Sequence, residues 1–292
     1  MQSKVFSQNK TLNLRGRLLD LSIPRVMGIL NVTPDSFFAG SRFSNEHAIL
    51  QHAEKILHEG AAMIDIGGYS TRPGATDIPE KEELSRVIGP IRSIIKKFPE
   101  AVISIDTFRA EVARVAVNEG AALVNDISGG EGDPIMFDTV ASLGVPYILM
   151  HMRGTPQTMT QQTGYQNIIR EMMEYFHKKI NVLHNKGVKD LIIDPGFGFA
   201  KTAAQSFNVL QHLHHFTFFG KPVLAGVSRK SIIWKTLGTL PENALNGTTS
   251  LNTVALLKGA SLLRVHDVKE AMEVIKLITS LPQSGPATTY PV

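Results

Sequence analysis

One unit recurs along this chain and limits what it can fold into: an amphipathic helical stretch closes on a glycine, a short apolar run follows, and the run ends in a polar side chain. The unit begins at His58, Asn118, Lys186 and Lys258, with Gly60, Gly120, Gly187 and Gly259 as the closing glycines, and in looser form at Ser142. Ahead of the glycines, apolar residues recur at helical spacing, as in Ala53, Ile56 and Leu57, or Val112, Ala113, Val115 and Ala116. The runs themselves scarcely alternate with polar residues, so each predicts a parallel strand covered on both faces by helices. Three further runs, at 25–31, 101–106 and 222–228, bring the number of strands to eight. Eight βα units predict a closed (β/α)8 (TIM) barrel, with a doubly wound open sheet as the alternative. The 292 residues suit one such barrel with short extensions, and no linker divides them. A single domain over 1–281, with its core at 25–275, is therefore expected. Residues 1–24 should form a strand or hairpin closing the barrel bottom, and the tail 282–292, rich in Pro, Ser and Thr, should stay disordered.

The chain has no cysteine. That excludes a disulfide framework, a thiolate zinc site, an iron–sulfur cluster and a cysteine nucleophile, and leaves chemistry on oxygen and nitrogen groups. No N-terminal apolar stretch is long enough for a signal peptide, and no run approaches the ~18 apolar residues of a membrane span, so a cytoplasmic protein with no membrane contact is expected. The net charge of +4 is spread out. Its tightest basic runs, Lys96-Lys97 and Lys178-Lys179, fall in amphipathic helical patterns and read as solvated helix faces, so no nucleic-acid partner is expected.

Barrels of this kind carry their sites at the C-terminal strand ends. Here those ends hold Asn31, Asp65, Asp106, Asn125, His151, Asp194, Ser228 with Lys230, and Arg264 with His266. Any one of them could be a helix cap or turn residue; together they point to a polar ligand bound across the mouth. Asn31, Asp106, Asn125 and Asp194 match a flat heterocycle with N–H donors and carbonyl acceptors. Arg72, Lys230, Arg264 and His266 match an oxyanion or diphosphate. Two loops, 31–43 with Phe37 and Phe38 and 67–76 with Thr71, Arg72, Pro73 and Gly74, have the composition of mobile lids. A third segment, Asp194 to Lys201, is glycine-rich but lacks the spacing of a P-loop or dinucleotide fingerprint. His212, His214 and His215 lack a carboxylate partner and read as surface or packing residues, as do Trp234 and the stripe of Phe216, Phe218 and Phe219.

At 27–37, 70–75, 104–107, 125–129, 150–152, 194–199, 226–231 and 264–267 the chain resembles the dihydropteroate synthases of the folate pathway. The resemblance implies condensation of 6-hydroxymethyl-7,8-dihydropterin diphosphate with 4-aminobenzoate, giving 7,8-dihydropteroate and diphosphate, with Mg2+ as cofactor and a homodimer as the assembly. It implies a pterin site of Asp106, Asn125, Asp194 and Lys230, and a diphosphate site of Asn31, Thr71, Arg72, Arg264 and His266 with Asn31 near the metal. It further implies an aminobenzoate side of Thr71, Arg72, Pro73, Phe199 and Ser228, which sulfonamides contest, and a catalytic set of Asp106, Lys230 and Arg72.

An aryl amine is a weak nucleophile, so loosening the C–O bond first, through a pterin cation, is the easier route, and Asp106 is placed to stabilise that cation. Ala39 stands where the family usually has a loop aspartate near the metal, so metal ligation from that loop is expected to be weaker or to come from another group such as Asp35, and Ala200 stands where glycine is usual. No residue is inserted beside Phe199, so sulfonamide sensitivity is expected. Two other readings stay open: a non-catalytic pterin-binding paralogue, motivated by Ala39, and a folate-dependent methyltransferase, which needs neither Ser70-Thr71-Arg72-Pro73 nor Ser228-Arg229-Lys230. A Schiff-base aldolase on Lys230 is weaker still.

Overall fold

The computed structural model describes residues 10–32, 42–71 and 76–282, without the side chains of 42–45. An antiparallel hairpin, β1 (Thr11–Leu14) and β2 (Arg17–Asp20), precedes eight parallel strands. These are β3 (Arg25–Asn31), β4 (Met63–Gly67), β5 (Ile103–Asp106), β6 (Leu123–Asp126), β7 (Tyr147–Met150), β8 (Leu191–Asp194), β9 (Leu224–Ala225) and β10 (Leu262–Val265). Their neighbour order is β8-β7-β6-β5-β4-β3-β10-β9, and a parallel bridge between Ile193 and Val223 joins the two ends. A helix follows each strand: Arg42–His58, Glu80–Lys97, Ala110–Asn118, Met136–Leu143, Ile168–Asn185, Ala203–Gln211, Leu245–Leu257 and Val268–Thr279, with the short helix Ser231–Trp234 also after β9. The described residues thus form the (β/α)8 barrel that the recurring unit predicts.

The local reasons are those of the repeat. Gly60, Gly120, Gly187 and Gly259 take φ of 98°, 118°, 89° and 98°, a left-handed turn that only glycine makes without a steric penalty, and it sends each helix back into the next strand. Every residue of β4 through β8 is buried, which explains why their sequences do not alternate. β9 is shorter than the 222–228 run suggests. Its run starts at Pro222, which has no N–H to give the ladder, and reaches Gly226, which has no side chain to pack.

The hairpin seals the barrel bottom, as expected. Arg15 and Gly16, at φ of 57° and 89°, make the tight reversal, and Leu12, Leu14 and Leu21 pack on the first inward residues of the strands, among them Met27, Met63, Leu123, Ile148, Ile192, Leu224 and Leu262. Asn13 N–H donates to Asp190 Oδ2 at 3.0 Å, and Arg15 Nη1 donates to the Val117 carbonyl at 2.7 Å. The floor is therefore apolar and closed, which leaves the C-terminal strand ends as the open side of the barrel.

Residues 283–292, most of the tail expected to be disordered, lie outside the described residues. Phe216 and Phe219 pack edge-on against Phe176, whereas Phe218 is exposed. His212, His214 and His215 cluster ring against ring, and no group of His and carboxylates among the described residues is placed to hold a metal. Among the described residues no helix is long and apolar enough to cross a membrane.

Candidate active site

Parallel register sets Asn31, Gly67, Asp106 and Asn125 side by side at the C-terminal ends of β3 to β6. A Cβ at Gly67 would lie 3.5 Å from Asp106 Oδ2, so the glycine keeps open the space between Asn31 and that carboxylate. One register row lower, Asp65 is fully buried, and its Oδ2 accepts from Asn125 Nδ2 at 3.0 Å and from Arg264 Nε at 2.6 Å. Arg264 Nη2 then donates to Asp106 Oδ2 at 2.6 Å. Two carboxylates thus hold one guanidinium through two of its nitrogens, Nε and Nη2, whose fixed spacing arginine has and lysine does not.

The segment after β8 forms the opposite wall. Asp194 Oδ1 accepts from the Gly196 N–H at 2.7 Å. Gly196 has φ of 69°, and a Cβ there would meet the His151 carbonyl oxygen at 2.3 Å, so no other residue fits. Lys230 Nζ donates to the Phe197 carbonyl at 2.7 Å and sits 4.7 Å from the centroid of the Phe199 ring, over which a cation is favoured. Behind this wall Lys201 is buried, with Nζ donating to the carbonyls of Phe199, Gly196 and His151 at 2.9, 3.0 and 3.2 Å and lying 3.0 Å from His151 Nδ1. Ala200 takes φ of 48° in this loop, where glycine would be relaxed, at a cost of about 1–2 kcal/mol.

After β9, Arg229 also adopts a left-handed conformation, with φ of 53°, between Ser228 and Lys230. Its guanidinium pairs with Asp267 through Nε at 2.9 Å and Nη2 at 2.5 Å, and its N–H donates to Thr248 Oγ1 at 3.1 Å, so the strain is held from two sides. Ser228 Oγ lies 3.1 Å from His266 Nδ1 and accepts from the His266 N–H at 3.2 Å, tying β9 to β10 at the mouth.

Burial pushes Asp106 up to about 7, against the opposing pull of Arg264 and with a further push from Asp65. Burial also raises Asp194, opposed by Lys230. The same burial brings Lys230 down to about 8 and Lys201 down to about 7, each partly restored by Asp194. His151 falls to about 2 through burial and then Lys201, so it is a neutral ring that accepts at Nδ1. Burial works against the charge of Arg264 too, yet Asp65 and Asp106 more than reverse it and raise that group. Perturbed carboxylates and amines gathered at one barrel mouth are the electrostatic mark of a working site.

The model of the pterin binding enzyme family matches residues 27–266. The chain is 40% identical over 266 residues to the dihydropteroate synthase of Escherichia coli, covering 90% of this chain and 94% of that one. It is 44% identical over 259 residues to that of Synechocystis, covering 88% and 89%. The chain belongs to the dihydropteroate synthases. Its fold superposes on the Xanthomonas albilineans dihydropteroate synthase with 4-aminobenzoic acid at a TM-score of 0.88 and 39% identity, covering 94% of this chain and 99% of that one. The structure of the same organism's synthase in complex with 7,8-dihydropteroate matches at a TM-score of 0.84 and 37% identity, covering 94% of this chain and all of that one (100%). With membership comes the class of activity, a transferase step of folate biosynthesis.

Most of the residues marked in the sequence gather at this dihydropteroate synthase mouth: Asp106, Asn125, Asp194, Lys230 and Arg264 stand at or just beyond the C-terminal strand ends, with Ser228, His266, Asn31 and Phe199 there as well. Thr71 follows β4 and is half-buried. Arg72 and Pro73, and the loop residues Asp35, Phe37, Phe38 and Ala39, lie outside the described residues. His151, undecided in the sequence between pocket lining and support, is buried behind the wall against Tyr175 and Lys201.

Three features are not evident from the sequence. Asp65 is one of the polar strand-end residues and nothing local gives it a task, although a carboxylate inside an apolar run is itself a signal. Lys201 ends a glycine-rich loop, which hinted at a ligand contact and proves to be an internal pin. Glu83, in the first turn of its helix, reads as a solvent-facing acid, yet it is fully buried on the stripe with Val87, Ile91 and Ile94.

Glu83 accepts from Thr107 Oγ1 and from Arg109 Nη1, each at 2.6 Å, while Arg109 Nη2 reaches the Ile78 carbonyl at 2.6 Å and Asp77 at 3.2 Å. This network ties the residue after Asp106 to the segment that follows β4. Arg109→Met should destabilise the fold by about 3–5 kcal/mol, because it strands Glu83 without its charge partner. Urea unfolding measures this, and a loss below about 1 kcal/mol would show that the pair is dispensable.

Proposed function

We propose that the chain joins 6-hydroxymethyl-7,8-dihydropterin diphosphate to 4-aminobenzoate. The bond between the pterin methylene and the diphosphate breaks, the amine nitrogen bonds to that methylene, and the amine releases a proton. The observation that supports this most strongly is the arrangement of acceptors and donors around one mouth: the carboxylates of Asp106 and Asp194, the Asn125 amide and the Lys230 ammonium. A flat heterocycle with N–H and carbonyl edges meets a partner on each side there. In this reading Asn31, Thr71, Arg264 and His266 receive the diphosphate, and Phe199, Ser228 and Thr71 lie on the aminobenzoate side.

Asp106 is buried, and there a carboxylate stabilises positive charge spreading into the pterin as the C–O bond loosens. Arg264, fixed by Asp65 and Asp106, is the cation offered to the departing diphosphate. Neutral His151 and buried Lys201 keep the β8 loop in place, so Lys230 and Phe199 stay aligned.

Mg2+ on a diphosphate commonly takes only one or two protein ligands and completes its shell with phosphate oxygens and water. The Asn31 carboxamide, half-buried at the end of β3 and one open glycine away from Asp106, fits such a single-ligand role. Mg2+ bound there would neutralise charge on the leaving group. A homodimer formed through the later units goes with this reading, and exposed Leu257 and Leu277 lie on their helices.

The test is diphosphate release by the purified chain with Mg2+. Release should require the pterin diphosphate and 4-aminobenzoate together; no turnover with both present rules the activity out.

A further inference from the structure

Asp65 has no direct part in the chemistry above, yet a charged side chain is fully buried there inside the barrel. Among the described residues its Oδ1 and the Oγ of its register neighbour Ser104 make no hydrogen bond, and the carboxylate's direct partners there are two site residues, Asn125 at 3.0 Å and Arg264 at 2.6 Å. We infer that Asp65 is a positioning residue that fixes which end of the Asn125 amide is offered to the ligand, and so sets the donor pattern of the heterocycle the barrel accepts.

An asparagine amide can present either two N–H donors or a carbonyl acceptor, and a half-turn exchanges them. A carboxylate only accepts, so Nδ2 is the end that faces Asp65, and the carbonyl oxygen is left for the ligand. On the opposite wall Asp194 is also an acceptor, with Oδ1 already taking the Gly196 N–H at 2.7 Å. Two acceptors across one pocket demand a ligand edge rich in N–H groups. A 2-amino pteridine carries such an edge, and its 2-oxo counterpart replaces the exocyclic amine, with its two N–H donors, by a carbonyl acceptor. The inference rests on the pterin site proposed above, and the experiment separates the two.

Binding of 6-hydroxymethylpterin and of its 2-oxo counterpart to the full chain is measured by calorimetry for wild type, Asp65→Asn, Asn125→Ala and the double variant. Asp65→Asn should weaken the 2-amino compound about tenfold and narrow its advantage over the 2-oxo compound several-fold. In the Asn125→Ala background both effects should shrink below about threefold. An Asp65→Asn penalty of equal size with and without Asn125, or an unchanged preference between the two compounds, overturns the inference. Asn125→Ala binding like wild type removes Asn125 from the pterin site and the inference with it. One measurement needs no variant: the Asn125 Nδ2 protons of 15N-labelled wild type should exchange with solvent at least about 10²-fold more slowly than those of exposed asparagines. Exchange at the exposed rate overturns the inference as well.

Discussion

Replacing Asp106 with asparagine is expected to lower kcat by about 10²- to 10³-fold while the barrel stays folded. The amide keeps the shape of the carboxyl and one acceptor, so the ligand can still dock. It loses the negative charge that faces the developing pterin cation, where little water screens it. Arg264 remains anchored by Asp65 at 2.6 Å, so the site does not collapse with the substitution. The pH dependence gives a second reading of the same group. With Asp106 raised to about 7 by burial, wild-type kcat/KM should fall as the pH drops below that value, and the asparagine variant should lose this acid limb.

Stability supplies the control. A carboxyl raised above its unfolded value of 3.8 holds its proton longer in the folded state, so its contribution to stability declines as the pH rises from about 4 to about 7. Asp106→Asn removes that decline, and the melting temperature of the variant relative to wild type should improve from pH 5 to pH 8. Wild-type turnover from Asp106→Asn would take the carboxylate out of the mechanism.

The second large effect belongs to Lys230. Lys230→Met keeps the volume and the contact with Phe199 but removes the charge and the donor that reaches the Phe197 carbonyl at 2.7 Å. A charged hydrogen bond to a buried ligand contributes about 1.5–3 kcal/mol, so the KM for the pterin diphosphate should rise about 10- to 100-fold. The KM for 4-aminobenzoate should move much less. Burial lowers Lys230 to about 8, and the wild-type alkaline limb near that pH should vanish in the methionine variant while the acid limb remains. Persistence of the alkaline limb would assign it to another group, with Lys201 as the next candidate, itself lowered to about 7.

What could be read from the sequence follows from range. The glycine that ends each helix and the unbroken apolar run after it are local demands, and local demands show in a linear string; Gly60 and Gly259 announce β4 and β10 before any coordinate is known. The gathering of Asp106, Asn125, Asp194 and Lys230 at one mouth is legible because strand ends in a barrel converge whatever the details. The internal wiring was not legible. Asp65 and Arg264 stand 199 residues apart, and Lys201 and His151 stand 50 apart. Nothing at either position says whether a charge will face a ligand or another residue. Glu83 misleads for a related reason: its helix position favours an acid on general grounds, which hides the buried partner that holds it there.

The hairpin at the barrel floor has a consequence for the order in which the molecule can be assembled. It is synthesised before any barrel strand, yet Asn13 bonds to Asp190 and Arg15 to Val117, at separations of 177 and 102 residues. Its leucines need a ring of side chains contributed from Met27 through to Leu262. The hairpin therefore waits for nearly the whole barrel before its apolar face is covered. During that interval the two short strands are an exposed sticky end, and sealing the floor is the act that completes the barrel.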